Sequence, residues 1–327
     1  MKTNLNKLFI FFLFFSLVPC LFAAGKKDKE FRVAAKKGMA AAPFAYLCEN
    51  NPKLGKDIQF AFSACNDYDQ VLSDLLQGNA VVGVLPVEVA AKVYLQDSGS
   101  IVALGVCGNG SLYIVSKNKA VSSLAQLKGR TVAAFNPDTS VEYLFRYLLK
   151  KNDIAVDDSE NGVKIDFSVA PANVTSALIS GSVEYALMTE PYASIAEIKD
   201  SEIVRNIDLQ QEYAAFADGE PFPAFLLVAN KNYLQENKDT VKAFVSAYKI
   251  ATDWTAGKPL RAGVLLQKHD FGMIAPVASH AVPYASLTWT DAKPARHDIE
   301  AVLTAYMSFA SDKQEKKLPD ELFYYVF

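Results

Sequence analysis

Few residues in this 327-residue chain have the types and spacings that covalent chemistry needs. The three histidines, His269, His280 and His297, are too widely separated for a metal pair on one helical turn. Neither a Gly-x-Ser-x-Gly nucleophile elbow nor a P-loop occurs in the sequence. Gly108-x-Gly110 lacks the third glycine of a dinucleotide fingerprint, because Tyr113 stands there and a strand is predicted to follow. The four cysteines, Cys20, Cys48, Cys65 and Cys107, contain no Cys-x-x-Cys pair and have no histidine nearby, so neither a zinc cluster nor a redox motif is expected. They read as small buried hydrophobes, with one disulfide among Cys48, Cys65 and Cys107 as the alternative. Non-covalent binding is the chemistry that remains, and no cofactor or metal is expected.

The residues suited to binding fall at predicted strand ends. In open α/β sheets a ligand sits beyond the carboxyl ends of the strands, where helix N-termini present free N–H groups. That rule selects Gly38 and Met39 after the first strand, Asn66 after the second and Pro86 after the third. It selects Asn136, Thr139 and Ser140, then Glu190 and Tyr192, at the corresponding ends further along. Asn109 and Ser111 join two predicted strands at a crossover, and Phe222 precedes a later one. A carboxylate at Glu190 could accept hydrogen bonds from an amine or an amidine-like ring edge; the plain alternative is a first-turn acid favourable to the helix dipole. Tyr192 and Phe222 could stack on a flat ligand or simply pack in the core, and Lys36 or Lys37 would suit an anion. Capping or turn formation is the competing reading of Gly38, Thr139, Ser140 and Pro191.

The elements that must carry these residues are written twice. Arg32-Val33-Ala34-Ala35 is answered by Thr131-Val132-Ala133-Ala134, and Leu75–Leu85 by Leu178–Met188, at nearly equal offsets. Each unit reads as strand, helix, strand, helix ending at glycine, strand ending near proline, then helix. Tyr68, Val71, Leu72, Leu75 and Leu76 share one helical face in the first unit, with Asn66 or Asp67 as cap, and Val141, Leu144, Phe145, Leu148 and Leu149 do so in the second. Ser122 or Ser123 is expected to cap a short helix, and Asn173 another at Val174–Ser180. The fold class is therefore α/β: two similar doubly wound lobes with parallel sheets, a hinge and a ligand cleft between them. A further strand is predicted at Phe222–Val228, its proline near the start where a missing N–H is tolerated. Long helices without a counterpart in the repeat are predicted near Asp239–Ala256 and Arg296–Ala310.

Lys2 and Lys7 precede the short apolar run Leu8–Leu17, the pattern of a secretory signal over residues 1–25. That run is shorter than the roughly 20 apolar residues that cross a bilayer. Leu17-Val18-Pro19-Cys20 resembles a lipobox, which would lipidate Cys20, whereas Ala23-Ala24-Gly25 suits ordinary signal cleavage. The chain is thus expected to be exported, in the periplasm or on the outer face of the cytoplasmic membrane, with membrane contact only through that anchor. A formal net charge of -3 and a pI near 5.7 argue against a nucleic-acid partner. About 300 residues remain after signal removal, above the size at which single cores stop growing.

Ser123-Leu124-Ala125-Gln126-Leu127-Lys128-Gly129-Arg130-Thr131-Val132, Gly181-Ser182-Val183-Glu184-Tyr185-Ala186 and Glu190-Pro191-Tyr192, in this order, resemble segments of the type II periplasmic solute-binding proteins. The group in question takes up nitrate, sulfonates, taurine and thiamine-pyrimidine precursors, and the resemblance runs from Phe31 to about Phe327. It implies that the first lobe is completed by the C-terminal part, with crossings near Ser116 and Pro223, giving residues 26–115 and 224–327 for lobe one and 116–223 for lobe two. It also implies hinge closure on a small-molecule solute, delivery to an ABC permease with its ATPase, and no enzymatic activity; a monomer is expected. The ligand is not carried over. Two other readings stay open: a surface interaction protein on this fold, which would lack a ligand cleft, and an enzyme resembling a pyrimidine synthase, which is cysteine-rich at its site. The exported chain is expected to begin between Cys20 and Lys26, and its intact mass reports both that terminus and any lipid on Cys20.

Overall fold

The computed structural model describes residues 29–97, 99–135, 137, 139–309 and 317–327. The expected signal segment, Cys20 and Asn136 lie outside the described residues. In chain order the first lobe opens with β1 (Lys29–Lys36), α1 (Ala42–Asn50), β2 (Ile58–Cys65), α2 (Tyr68–Leu76), β3 (Val82–Pro86), α3 (Val87–Gln96) and β4 (Ile101–Asn109). The second lobe holds β5 (Leu112–Lys117), β6 (Arg130–Ala133), α4 (Ser140–Lys151), β7 (Val163–Asp166), α5 (Val174–Ser180), β8 (Tyr185–Thr189), α6 (Tyr192–Lys199), β9 (Ile203–Asp208) and α7 (Leu209–Phe216). The chain then returns through β10 (Pro223–Asn230), α8 (Lys231–Glu236), α9 (Lys238–Gly257), α10 (Pro259–Lys268), α11 (Ala275–Ala281), β11 (Leu287–Asp291) and α12 (Arg296–Met307).

The repeat seen in the sequence is a repeat of sheet topology. One sheet runs β11-β4-β10-β3-β1-β2 and the other β7-β6-β8-β5-β9, so β2-β1-β3-β10-β4 in the first matches β7-β6-β8-β5-β9 in the second. The sheets are mixed rather than purely parallel. β1 pairs parallel with β2 and β3, and β6 with β7 and β8, as helical crossovers require. β10 lies antiparallel to β3 and β4, and β5 antiparallel to β8 and β9, because each enters its sheet from the other lobe without such a crossover. The first crossing lies at Gly110–Ser111, ahead of Ser116, since Leu112–Lys117 already pairs within the second sheet.

Local chemistry explains most element boundaries. Val82–Pro86 is buried throughout, as a strand covered on both faces must be. Asp67 caps α2 by accepting from the Gln70 N–H at 2.8 Å. The other expected caps differ. Asn173 makes no side-chain cap bond, since Pro171–Asn173 is itself a 3-10 turn leading into α5. Leu124–Leu127 is a 3-10 turn in which the Gln126 side chain, rather than a serine hydroxyl, accepts the Ser122 N–H at 2.6 Å.

One apolar core lies beneath α1 and α9, where Phe31, Phe44, Phe244 and Tyr248 are fully buried. A second runs continuously from Leu85 and Leu226 through Phe222 to Leu144 and Leu148, and so joins the lobes. A smaller third fills the space around Val174, Leu178 and Ala193. Cys48, Cys65 and Cys107 are free, so the disulfide alternative is not realised; burial pushes the Cys107 thiol up to about 12. No described helix is long and apolar enough to cross a membrane.

Packing of the added strand on the first sheet depends on one close approach. A Cβ on Gly105 would lie 2.5 Å from Trp289 Cζ2 and 2.7 Å from the Thr290 carbonyl oxygen. Gly105→Ala is therefore expected to cost about 1–3 kcal/mol through overpacking, read as a lower urea midpoint with an unchanged slope.

Candidate functional site

The facing strand ends enclose a cleft of about 930 Å³ between the lobes. Ten of the twelve residues selected from the sequence line it: Gly38, Met39, Asn66, Pro86, Ser111, Thr139, Ser140, Glu190, Tyr192 and Phe222. Asn109 does not. It ends β4 between β10 and β11, and its N–H donates to the Ser286 carbonyl at 3.0 Å. Gly38 holds φ at +141°, in the range that favours glycine, and turns the chain from β1 into a 3-10 turn whose Ala41 N–H returns to the Gly38 carbonyl.

The walls are chiefly apolar and aromatic. Lobe one contributes Tyr68 on α2 and Phe225 on β10, with ring centroids 6.3 Å apart. Lobe two contributes Phe135 and Tyr192, edge to face at 6.1 Å, with Tyr192 half exposed at 49%. Three methionines, Met39, Met188 and Met273, add adaptable thioethers to the lining. Phe222, at 6% exposure, packs edge to face on Tyr213 and floors the cleft.

The carboxylate of Glu190 does not point at a ligand, contrary to expectation. Its side chain has no exposure and is paired with Arg205 of β9, which donates from Nε at 3.1 Å and also from Nη2. Ser194 donates its hydroxyl to the other oxygen at 2.7 Å. The 7% exposure of the residue therefore belongs to its main chain. Arg205 also donates to Glu197 and stacks on Tyr284 at 3.9 Å and on Tyr113 at 5.3 Å. Burial pulls the Arg205 guanidinium down, but the Glu190 and Glu197 carboxylates outweigh it and raise its pKa above the usual value. Tyr284 and His280 come from the C-terminal part of the chain, and His280 meets Glu197 at 2.9 Å, so this cluster clasps the two lobes beside the cleft. The Tyr113 hydroxyl donates to the Tyr284 carbonyl at 2.8 Å within it.

Glu88, in the first turn of α3, is the acid that does face the cleft. Ser140, which begins α4 on the opposite lobe, lines the cleft with it, and hydrogen bonding from Ser140 and from the Glu88 backbone favours the ionised carboxyl. Burial pushes its carboxyl above the usual range, against those hydrogen bonds. The sequence reading passed over Glu88 and Arg205. The repeat held a signal for the first, because the offset that carries Leu85 onto Met188 carries Glu88 onto Pro191, inside the loop already chosen. Arg205 sits mid-strand, where nothing in spacing marks it.

Comparison with known proteins agrees with this architecture. The family model described as NMT1/THI5 like matches residues 99–262. YtlA of Bacillus subtilis, named as a binding protein, is 30% identical over 132 residues, a stretch covering 39% of this chain and 36% of that protein. The fold is similar to an ABC transporter structure from Parabacteroides distasonis, with a TM-score of 0.76 and 20% identity over 90% of this chain and 98% of that one. It is also similar to the periplasmic aliphatic sulphonate binding protein SsuA from Escherichia coli, with a TM-score of 0.67 and 18% identity over 90% and 95% of the two chains.

Arg205→Ala would leave Glu190 buried without a counter-charge. Removing one partner of such a pair costs about 3–5 kcal/mol, so the variant is expected to show a large drop in denaturant midpoint.

Proposed function

Since the chain belongs to the NMT1/THI5-like family, whose fold neighbours include a periplasmic binding protein, we propose that it captures a small solute by lobe closure outside the cytoplasmic membrane. In this reading it delivers the solute to an ABC permease coupled to its ATPase and performs no covalent step. Lobe one would comprise residues 29–110 and 223–327, and lobe two residues 111–222, following the exchange of strands between sheets.

The observation that carries the reading is the placement of aromatic side chains on both walls of one cleft. Tyr68 and Phe225 lie on one side and Phe135 and Tyr192 on the other. Closure of the lobes would bring these rings onto the faces of a planar or heterocyclic solute, with polar contacts from Ser111, Thr139, Ser140 and Asn66 at the helix starts. A volume of about 930 Å³ is at the upper end of what small-molecule sites occupy. The sulphonate named for one fold neighbour is not assigned to this chain, because the cleft presents an acid beside its basic residues. A cleft of this size also weighs against a pure surface-interaction role. Among the described residues no cysteine lines it, which weighs against the synthase-like reading.

Thermal unfolding of the exported protein, first unfolded and refolded to remove carried solute, tests the proposal against sulfonates, nitrate, thiamine precursors, flavins and amino acids. A bound solute stabilises by about 2.7 kcal/mol at roughly 100 times its dissociation constant. The expected result is a rise in melting temperature with a planar class, reduced in Tyr192→Ala, where loss of stacking of about 0.5–1.5 kcal/mol weakens affinity several-fold. A flat response to every solute would count against solute capture.

A further inference from the structure

Most charges around the cleft are already matched. Lys37 pairs with Asp270 at 2.9 Å, and Glu190 is buried against Arg205. Two lining charges remain. Lys36 sits with its ammonium 5.0 Å from the Tyr68 ring centroid, and Glu88 stands at the start of α3. Glu88 lines the cleft together with Ser140, which begins the twelve-residue α4 of the opposite lobe. Donors at a helix start, with the dipole behind them, ordinarily favour an anion. Here a carboxylate of the protein itself holds that place.

We propose that Glu88 is a specificity-determining residue that closes the cleft to anions. The inference rests on the solute-binding reading above and deepens it. An anionic group entering beside α4 would meet Glu88 next to the Ser140 donors. It would also face the Glu88 charge within an enclosed space, where like charges repel far more strongly than in water. Lys36, the other lining charge, has its ammonium over the Tyr68 ring. A solute without net charge is spared that repulsion, and its donor groups can use the acceptor capacity that Glu88 retains.

Isothermal titration of the full chain, wild type and Glu88→Gln, with benzenesulfonate and with benzamide as a neutral ring of similar size, tests the assignment. Like-charge juxtaposition costs several kcal/mol, so benzenesulfonate is expected to bind Glu88→Gln at least about tenfold more tightly than wild type, with a much smaller change for benzamide. Wild type binding benzenesulfonate as tightly as the variant does would overturn the proposal. So would a variant that gains no benzenesulfonate binding, and in either case the thermal panel decides separately whether solute capture stands. Should Glu88→Gln fail to fold, the wild-type pair decides: preference for benzamide supports exclusion, and preference for benzenesulfonate overturns it.

Discussion

The exchange of one strand between the lobes governs what the rest of the molecule can do. β5 follows β4 after only Gly110 and Ser111, yet it lies between β8 and β9 of the other sheet. β10 makes the return and lies between β3 and β4. Both are interior strands, so their backbone groups are matched on both sides and cannot slip without exposing or orphaning them. The two crossing segments also touch, because the Gly110 N–H donates to the Phe222 carbonyl at 2.9 Å. A side chain at Gly110 would press on the Phe222 ring, with a Cβ only 3.3 Å from its Cδ1. This junction holds the carboxyl ends of both sets of parallel strands against one cleft.

Around that junction two acids show how environment separates roles. Glu190 is enclosed with a guanidinium, a serine hydroxyl and no solvent, so its charge is consumed within the clasp between α6, β9 and the Tyr284 turn. Such a network gives geometry more than net stability, since the desolvation of its charges offsets much of their attraction. Glu88 has hydrogen-bond donors but no cation among its contacts. Its side chain lines the cleft, whereas the Glu190 carboxylate is insulated from it. The same type of side chain, placed near equivalent strand ends of two similar lobes, is buried in an ion pair in one and lines the cleft in the other.

The repeat, the fold class and the cleft loops were legible in the sequence because each depends on short-range pattern. Apolar spacing marked α2 and α4, Gly78 and Gly181 marked the ends of α2 and α5, and strand ends followed from the order of elements. Asp67 could be read as a cap since its partner, Gln70, is three residues away. The direction of β5 and β10 could not be read, because a strand's alternation is the same whichever way its neighbour runs. Asn109 was misplaced for a related reason: its position after β4 suggested a free loop, and only pairing with elements far along the chain, Pro223 and Ser286, removes it from the cleft.

What the sequence by itself determined is therefore the two-lobed α/β plan and most of the residues that border the cleft, since periodicity and chain order are local and survive being read one residue at a time. Only the tertiary structure decided which acid faces the cleft. That choice turns on Arg205, fifteen positions beyond Glu190, and on Ser140, in the other lobe from Glu88. Where a carboxylate finds its counter-charge or its donors is set by three-dimensional distance, and distance across a fold leaves no trace in spacing along the chain.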